Sequence, residues 1–171
     1  WEEGRDHARL VADTVHGGRA ALLLDARGLE NEVDVFSAPM PVQAGHGYRL
    51  GSFVRQLAGD RGYKVTIDWI SADGKHISYD NDWRGSDKPA DFTAHGGVFI
   101  APAGTAHAVL ILGVMPEVAC LFDDLSLVDL GPAEPLDARP RRDGDGRVRV
   151  AGPDTVPAGG HATWRVTYTC G

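Results

Sequence analysis

Tyr63-Lys64-Val65-Thr66-Ile67-Asp68-Trp69-Ile70 alternates apolar and polar side chains along its length. Successive side chains of a strand point to opposite faces. Tyr63, Val65, Ile67 and Trp69 therefore share one side, and Lys64, Thr66 and Asp68 the other. This is the pattern of a half-buried β-strand. Ala72-Asp73-Gly74-Lys75 follows it as a tight hairpin turn, because Gly after Asp readily supplies positive φ. Working outward, short apolar and β-branched segments recur between turn signals. They run from Arg19 to Arg27, Val33 to Phe36, Tyr48 to Arg55, Phe92 to Ile100, Ala106 to Val114 and Cys120 to Leu130. The polar stretch from Asp80 to Asp91, which carries Trp83, reads as a long loop. No amphipathic helix of useful length is visible between Ala20 and Leu130. About eight strands in roughly 130 residues predict an all-β fold, a two-sheet antiparallel sandwich of jelly-roll type.

Composition narrows the functional classes. Of 171 residues 43% are hydrophobic, enough for a core, while 22 Gly and 10 Pro leave little room for long helices. Lys and Arg number 17 against 24 Asp and Glu, a net charge of -7 that speaks against nucleic-acid binding, since phosphate contacts need a basic face. No apolar run is long enough for a membrane span. Cys120 and Cys170 make no disulfide framework, and no Cys/His spacing matches a zinc site. Cys120, inside an apolar strand, reads as a buried inert thiol; pairing with Cys170 would require an oxidising compartment.

Composition shifts after Leu130. Residues 1–130 are expected to form the jelly-roll module and residues 131–146, rich in Pro, Gly and charge, a linker. Residues 147–171 are expected to form a β-hairpin, the start of a following domain. A chain that opens on Trp1 without Met and stops at Cys170-Gly171 is expected to be a piece of a longer protein.

Several segments together carry a resemblance. His16-Gly17-Gly18-Arg19 precedes an apolar strand, and Pro41-Val42-Gln43-Ala44-Gly45 precedes Tyr48-Arg49-Leu50. Trp83 is followed by Phe92 and Ala101-Pro102-Ala103-Gly104-Thr105, and Phe122-Asp123-Asp124-Leu125-Ser126-Leu127 closes the series. In order and spacing they resemble the galactose-binding-like jelly rolls, especially the glycan-binding modules of families four, nine and twenty-two. The resemblance implies two antiparallel sheets, a non-catalytic accessory role and often one structural calcium ion. Members usually open with a strand carrying Phe-Glu or Phe-Asp; here only Glu2-Glu3 stands near that position.

Two sets of candidate residues follow. By strand parity Asp123 falls with Leu121, Leu125 and Leu127 on the core side, and a carboxylate there needs a partner. Calcium, a hard cation that takes oxygen ligands, is one such partner, with Asp123, Asp124, His16 and Gly17 as the metal set. The other reading leaves both acids at a sheet rim, solvated or paired with Arg. For sugar, a flat π surface stacks on pyranose C–H groups while polar side chains meet the hydroxyls. The ligand-binding candidates are Trp83 and Tyr79 on the expected loop, Arg49, Phe53 and Arg55 on one strand, and Asp68 with Lys64 facing the same way from the next. Each is equally at home on an ordinary solvated face or, for Trp83, as a loop anchor.

The expected function is a carbohydrate-binding-like accessory module, not itself an enzyme, in a larger protein that is extracellular or periplasmic. Its expected partners are a polysaccharide or oligosaccharide and the rest of its own multidomain chain. One alternative is a structural or spacer module packed on a neighbouring catalytic domain. Another is a jelly-roll polysaccharide lyase, in which His76 and Tyr79 would abstract a proton while Arg49 or Arg55 neutralises a uronate carboxylate.

Overall fold

The computed structural model describes residues 5–84, 88–133, 141–143, 148–151 and 165–168, with backbone alone at residue 5, 81–84 and beyond 133. The chain divides into two compact units, Trp1–Gly131 and Pro132–Gly171.

The first unit is a β-sandwich. After a short 3-10 turn, Arg5–His7, come β1 (Ala8–Val11), β2 (Ala21–Asp25), β3 (Val33–Phe36), β4 (Met40–Pro41) and β5 (His46–Ala58). Then follow β6 (Tyr63–Ser71), β7 (His76–Arg84), β8 (Thr93–Ile100), β9 (Thr105–Val114) and β10 (Ala119–Pro132). The first sheet has the order β1-β2-β10-β5-β8; the second has β3-β9-β6-β7, with β4 also on β9. The strand pairs β1–β2, β2–β10, β3–β9, β4–β9, β5–β8, β6–β7 and β6–β9 are all antiparallel. The all-β two-sheet expectation is met.

The alternation in β6 does what its pattern requires. Tyr63, Val65, Ile67 and Trp69 are all buried between the sheets, beside Leu110, Leu112 and Val114 of β9 and Tyr48, Leu50 and Val54 of β5. The hairpin turn closes with Ser71 N–H donating to the Lys75 carbonyl at 2.9 Å, and Gly74 takes φ 80°. A second, smaller cluster of Ala21, Leu23, Ala119 and Leu121 lies apart from the main core, with Val11, Val15, Ala58 and Phe92 packed on it. Val15, from the segment between β1 and β2, and Phe92 are among the residues that cover it.

Three sequence expectations change. The stretch from Asp80 is not a loop at its start: His76–Arg84 is β7, paired to β6 so that Lys64 opposes Trp83 and Asp68 opposes Tyr79. The hairpin turn fixes that register, and the strand's polar side chains hid it from a hydrophobicity reading. Second, Asp123 does not share a face with Leu125 and Leu127. Asp124 has left-handed backbone, φ 48°, and this shifts the alternation by one. Phe122 belongs to the main core and Leu125 and Leu127 also pack on it, while Leu121 belongs to the smaller cluster. Third, within the stretch expected as linker, β11 (Arg141–Asp143) pairs with β12 (Val148–Ala151), and β12 pairs with β13 (Arg165–Tyr168). Among the described residues the second unit holds a three-stranded sheet, β11-β12-β13.

Candidate functional site

The strand that alternates most cleanly, β6, holds Asp68 on the face turned away from the core. Directly opposed residues of antiparallel strands share a face. Val109 of β9, Asp68 and Tyr79 of β7 therefore form one row, and Gly113, Lys64 and Trp83 another. The side chain of Trp83 lies outside the described ones, so only its place in the register is stated. Tyr79 is 57% exposed, the one aromatic among the exposed large apolar residues that are described. Its ring lies against the His76 ring, centroids 4.2 Å apart and tilted by 36°. His76 Nδ1 is 2.6 Å from Asp68 Oδ1. Since an ionised carboxylate only accepts, the imidazole Nδ1–H is the donor.

The neighbouring cation is already committed. Lys64 Nζ is 2.6 Å from Asp34 Oδ2 and 3.4 Å from Glu32 Oε1. A Cβ at Gly113 would collide with both the Asp34 carboxylate and the Lys64 stem, so the glycine lets the pair lie flat on β9. Asp80, one residue beyond Tyr79 and on the opposite face, accepts the Trp69 indole N–H at 2.7 Å.

Arg49, Phe53 and Arg55 are elsewhere. Strand β5 belongs to the first sheet, and Leu50 and Val54 point into the core. The three residues between and beside them consequently face outward on that sheet. Asp68 and Tyr79 face outward on the other. The expected single site is split across the two outer faces, because β5 and β6 are neighbours in sequence but not in a sheet. Phe53 is also covered: the His16 ring stacks on it at 3.5 Å and 13°.

The four expected metal residues do come together. Asp123 Oδ2 accepts the backbone N–H of His16 at 2.7 Å and that of Gly17 at 3.1 Å. Its Oδ1 accepts the Asp124 N–H at 2.8 Å, and His16 Nδ1 lies 2.8 Å from Asp124 Oδ2. A calcium ion requires about six to eight oxygens turned to one point. Here one N–H meets Asp123 Oδ1, two meet Oδ2, and an imidazole meets Asp124. Among the described residues no group of three or more His, Cys, Asp or Glu could hold a metal ion. The described residues do not fit calcium; Glu2 and Glu3 lie outside them. In this structure Asp123, Asp124, His16 and Gly17 form a hydrogen-bonded clamp that holds the segment between β1 and β2.

Cys120 is free and fully buried, and burial pushes its thiol up to about 12. Cys170 lies outside the described residues.

Among solved structures, a family 16 carbohydrate-binding module shares 15% identity, over 75% of this chain and 87% of that one, with a TM-score of 0.56. The family 22 module joined to a family 10 catalytic module in Clostridium thermocellum endo-1,4-beta-D-xylanase 10B, complexed with xylohexaose, also matches. It gives 15% identity, 76% and 25% coverage and a TM-score of 0.57. The fold is that of the carbohydrate-binding jelly rolls. A family 61 module of this jelly-roll type, in complex with beta-1,4-galactotriose, matches at 14% identity, 75% and 86% coverage and a TM-score of 0.51. No family profile and no curated protein matches the chain. No helix among the described residues of this jelly roll is long and apolar enough to cross a membrane.

Proposed function

We propose that the first unit binds polysaccharide or oligosaccharide on the outer face of the second sheet, as a non-catalytic accessory module of a larger secreted protein. The observation that carries this reading is the exposed Tyr79 ring, set on a regular strand rather than a loop and backed by the His76 ring. An aromatic fixed in this way offers a flat surface to sugar C–H groups at small conformational cost. Asp68, with its Nδ1–H bond from His76, supplies polar groups alongside for hydroxyls. Likeness in fold to carbohydrate-binding modules supports the reading. Solved neighbours carry xylohexaose or galactotriose, so β-1,4-linked xylans and galactans are the first glycans to try. Polysaccharides of this kind lie outside cells, which is the ground for placing the parent protein extracellularly or in the periplasm.

A glycan array probed with the whole chain, alongside Tyr79→Ala and Arg55→Ala, tests it. Binding to one glycan class that Tyr79→Ala abolishes and Arg55→Ala leaves intact is the expected result. Loss in Arg55→Ala alone would move the site to the first sheet. Silence across the array would favour the structural or spacer role.

A further inference from the structure

We propose that His76 reads a sugar hydroxyl through Nε2, and that Asp68 is the positioning residue that fixes which ring nitrogen is free to do so. The inference rests on the glycan-binding reading of the Tyr79 face and deepens it.

An imidazole in water exchanges its single proton between two nitrogens. A carboxylate 2.6 Å from one of them ends that freedom: Asp68 accepts, so the proton resides on Nδ1. In the neutral ring Nε2 is then an acceptor with a lone pair. Asp68 is half-buried, its side chain 16% exposed, and Lys64, the nearest cation in its strand on the same face, is taken up by Asp34 and Glu32. The hydrogen bond that Asp68 makes to a described side chain is the one to His76. His76 itself keeps nearly half of its side chain exposed and touches the Tyr79 ring. A pyranose stacked on Tyr79 has its ring C–H groups on the aromatic and its hydroxyls at the rim, within reach of the adjoining imidazole edge. A site that accepts from a hydroxyl there discriminates against a sugar lacking it, because the bound lone pair would be left unpaired.

The test separates the two layers. The tautomer is read first, without sugar, from long-range 15N–1H correlations of the histidine rings at about pH 8, where an ordinary imidazole is neutral. His76 is expected as the Nδ1–H form in the native chain and as mainly the Nε2–H form in Asp68→Ala. A native ring already carrying Nε2–H, or one unchanged by Asp68→Ala, overturns the positioning role. Titration with xylohexaose and with β-1,4-galactotriose follows. His76→Phe keeps a ring against Tyr79 but has no lone pair. It is expected to lose about tenfold in affinity for the sugar that binds, and Asp68→Ala about fivefold. The double variant should be no weaker than His76→Phe alone. Native affinity in His76→Phe overturns the hydroxyl contact. If neither sugar nor any array glycan binds while the tautomer is as expected, the glycan reading has failed and the hydroxyl contact with it.

Discussion

Asp123 is 7% exposed, and its carboxylate accepts three backbone N–H groups, two of them from residues more than a hundred positions earlier. Its charge is thus met by the partial positive charge of the amides, and the segment carrying His16 is held against the sheet. Asp123→Ala removes the acceptor and leaves those amides without it. The expected loss is about 1–3 kcal/mol. Because the described oxygens face N–H donors, the melting temperature should be the same with calcium and with a chelator, in the native chain and in the variant. A rise with calcium in the native chain that Asp123→Ala abolishes would restore the ion. Scanning calorimetry decides it.

At the scale of the element, β9 is buried on both faces: Leu110 and Leu112 lie in the core, and Val109 and Ile111 on the other side are 7% and 6% exposed. Gly113 ends that run where Lys64 and Asp34 cross it. Gly113→Ala forces both side chains aside and should cost about 1–3 kcal/mol, measured by urea unfolding; an unchanged midpoint would mean that the ion pair moves freely. The sequence showed most elements of this sandwich because their residues alternate: β6, β9 and the start of β10 were readable to within one residue, and β5 to within three. It hid β7, whose polar residues give no core signal, although the turn at Asp73-Gly74 already implied a strand running back along β6. It also hid the change of face at Asp124, which depends on one backbone angle. The site divides the same way. Asp68 and Tyr79 both stand out in the sequence, but Tyr79 reads there as part of a loop and its pairing with Asp68 is visible only in the register; placing Arg49 and Arg55 beside them assumed that consecutive strands share a sheet.

For the whole molecule, the resolved shifts give its acidic groups one direction. Asp25 is held below the usual carboxylate range by the Arg27 guanidinium, Asp73 by the Lys75 ammonium and Asp129 by the Gly131 N–H. A carboxyl with a depressed folded pKa binds fewer protons folded than unfolded. Its stabilisation is complete above the unfolded value near 4 and is lost as pH falls through the folded one. Thermal stability should therefore fall on acidification from about pH 5 downward. A melting temperature flat through that range would contradict these interactions. Asp73 and Asp129 are exposed and Asp25 partly so, and added salt should therefore weaken the effect.

Strand β10 lies between β2 and β5, which makes the last strand of the sandwich the centre of its first sheet. During synthesis, everything up to Val118 can emerge while that sheet is still two separate ribbons, β1-β2 and β5-β8, with a strand-wide slot between them. The ribosome delivers the piece that fits the slot last. Cutting the gene ahead of Ala119 would therefore yield a receptor fragment and a second fragment that opens with the donor strand, two halves of a complementation pair whose reunion reports that they have met.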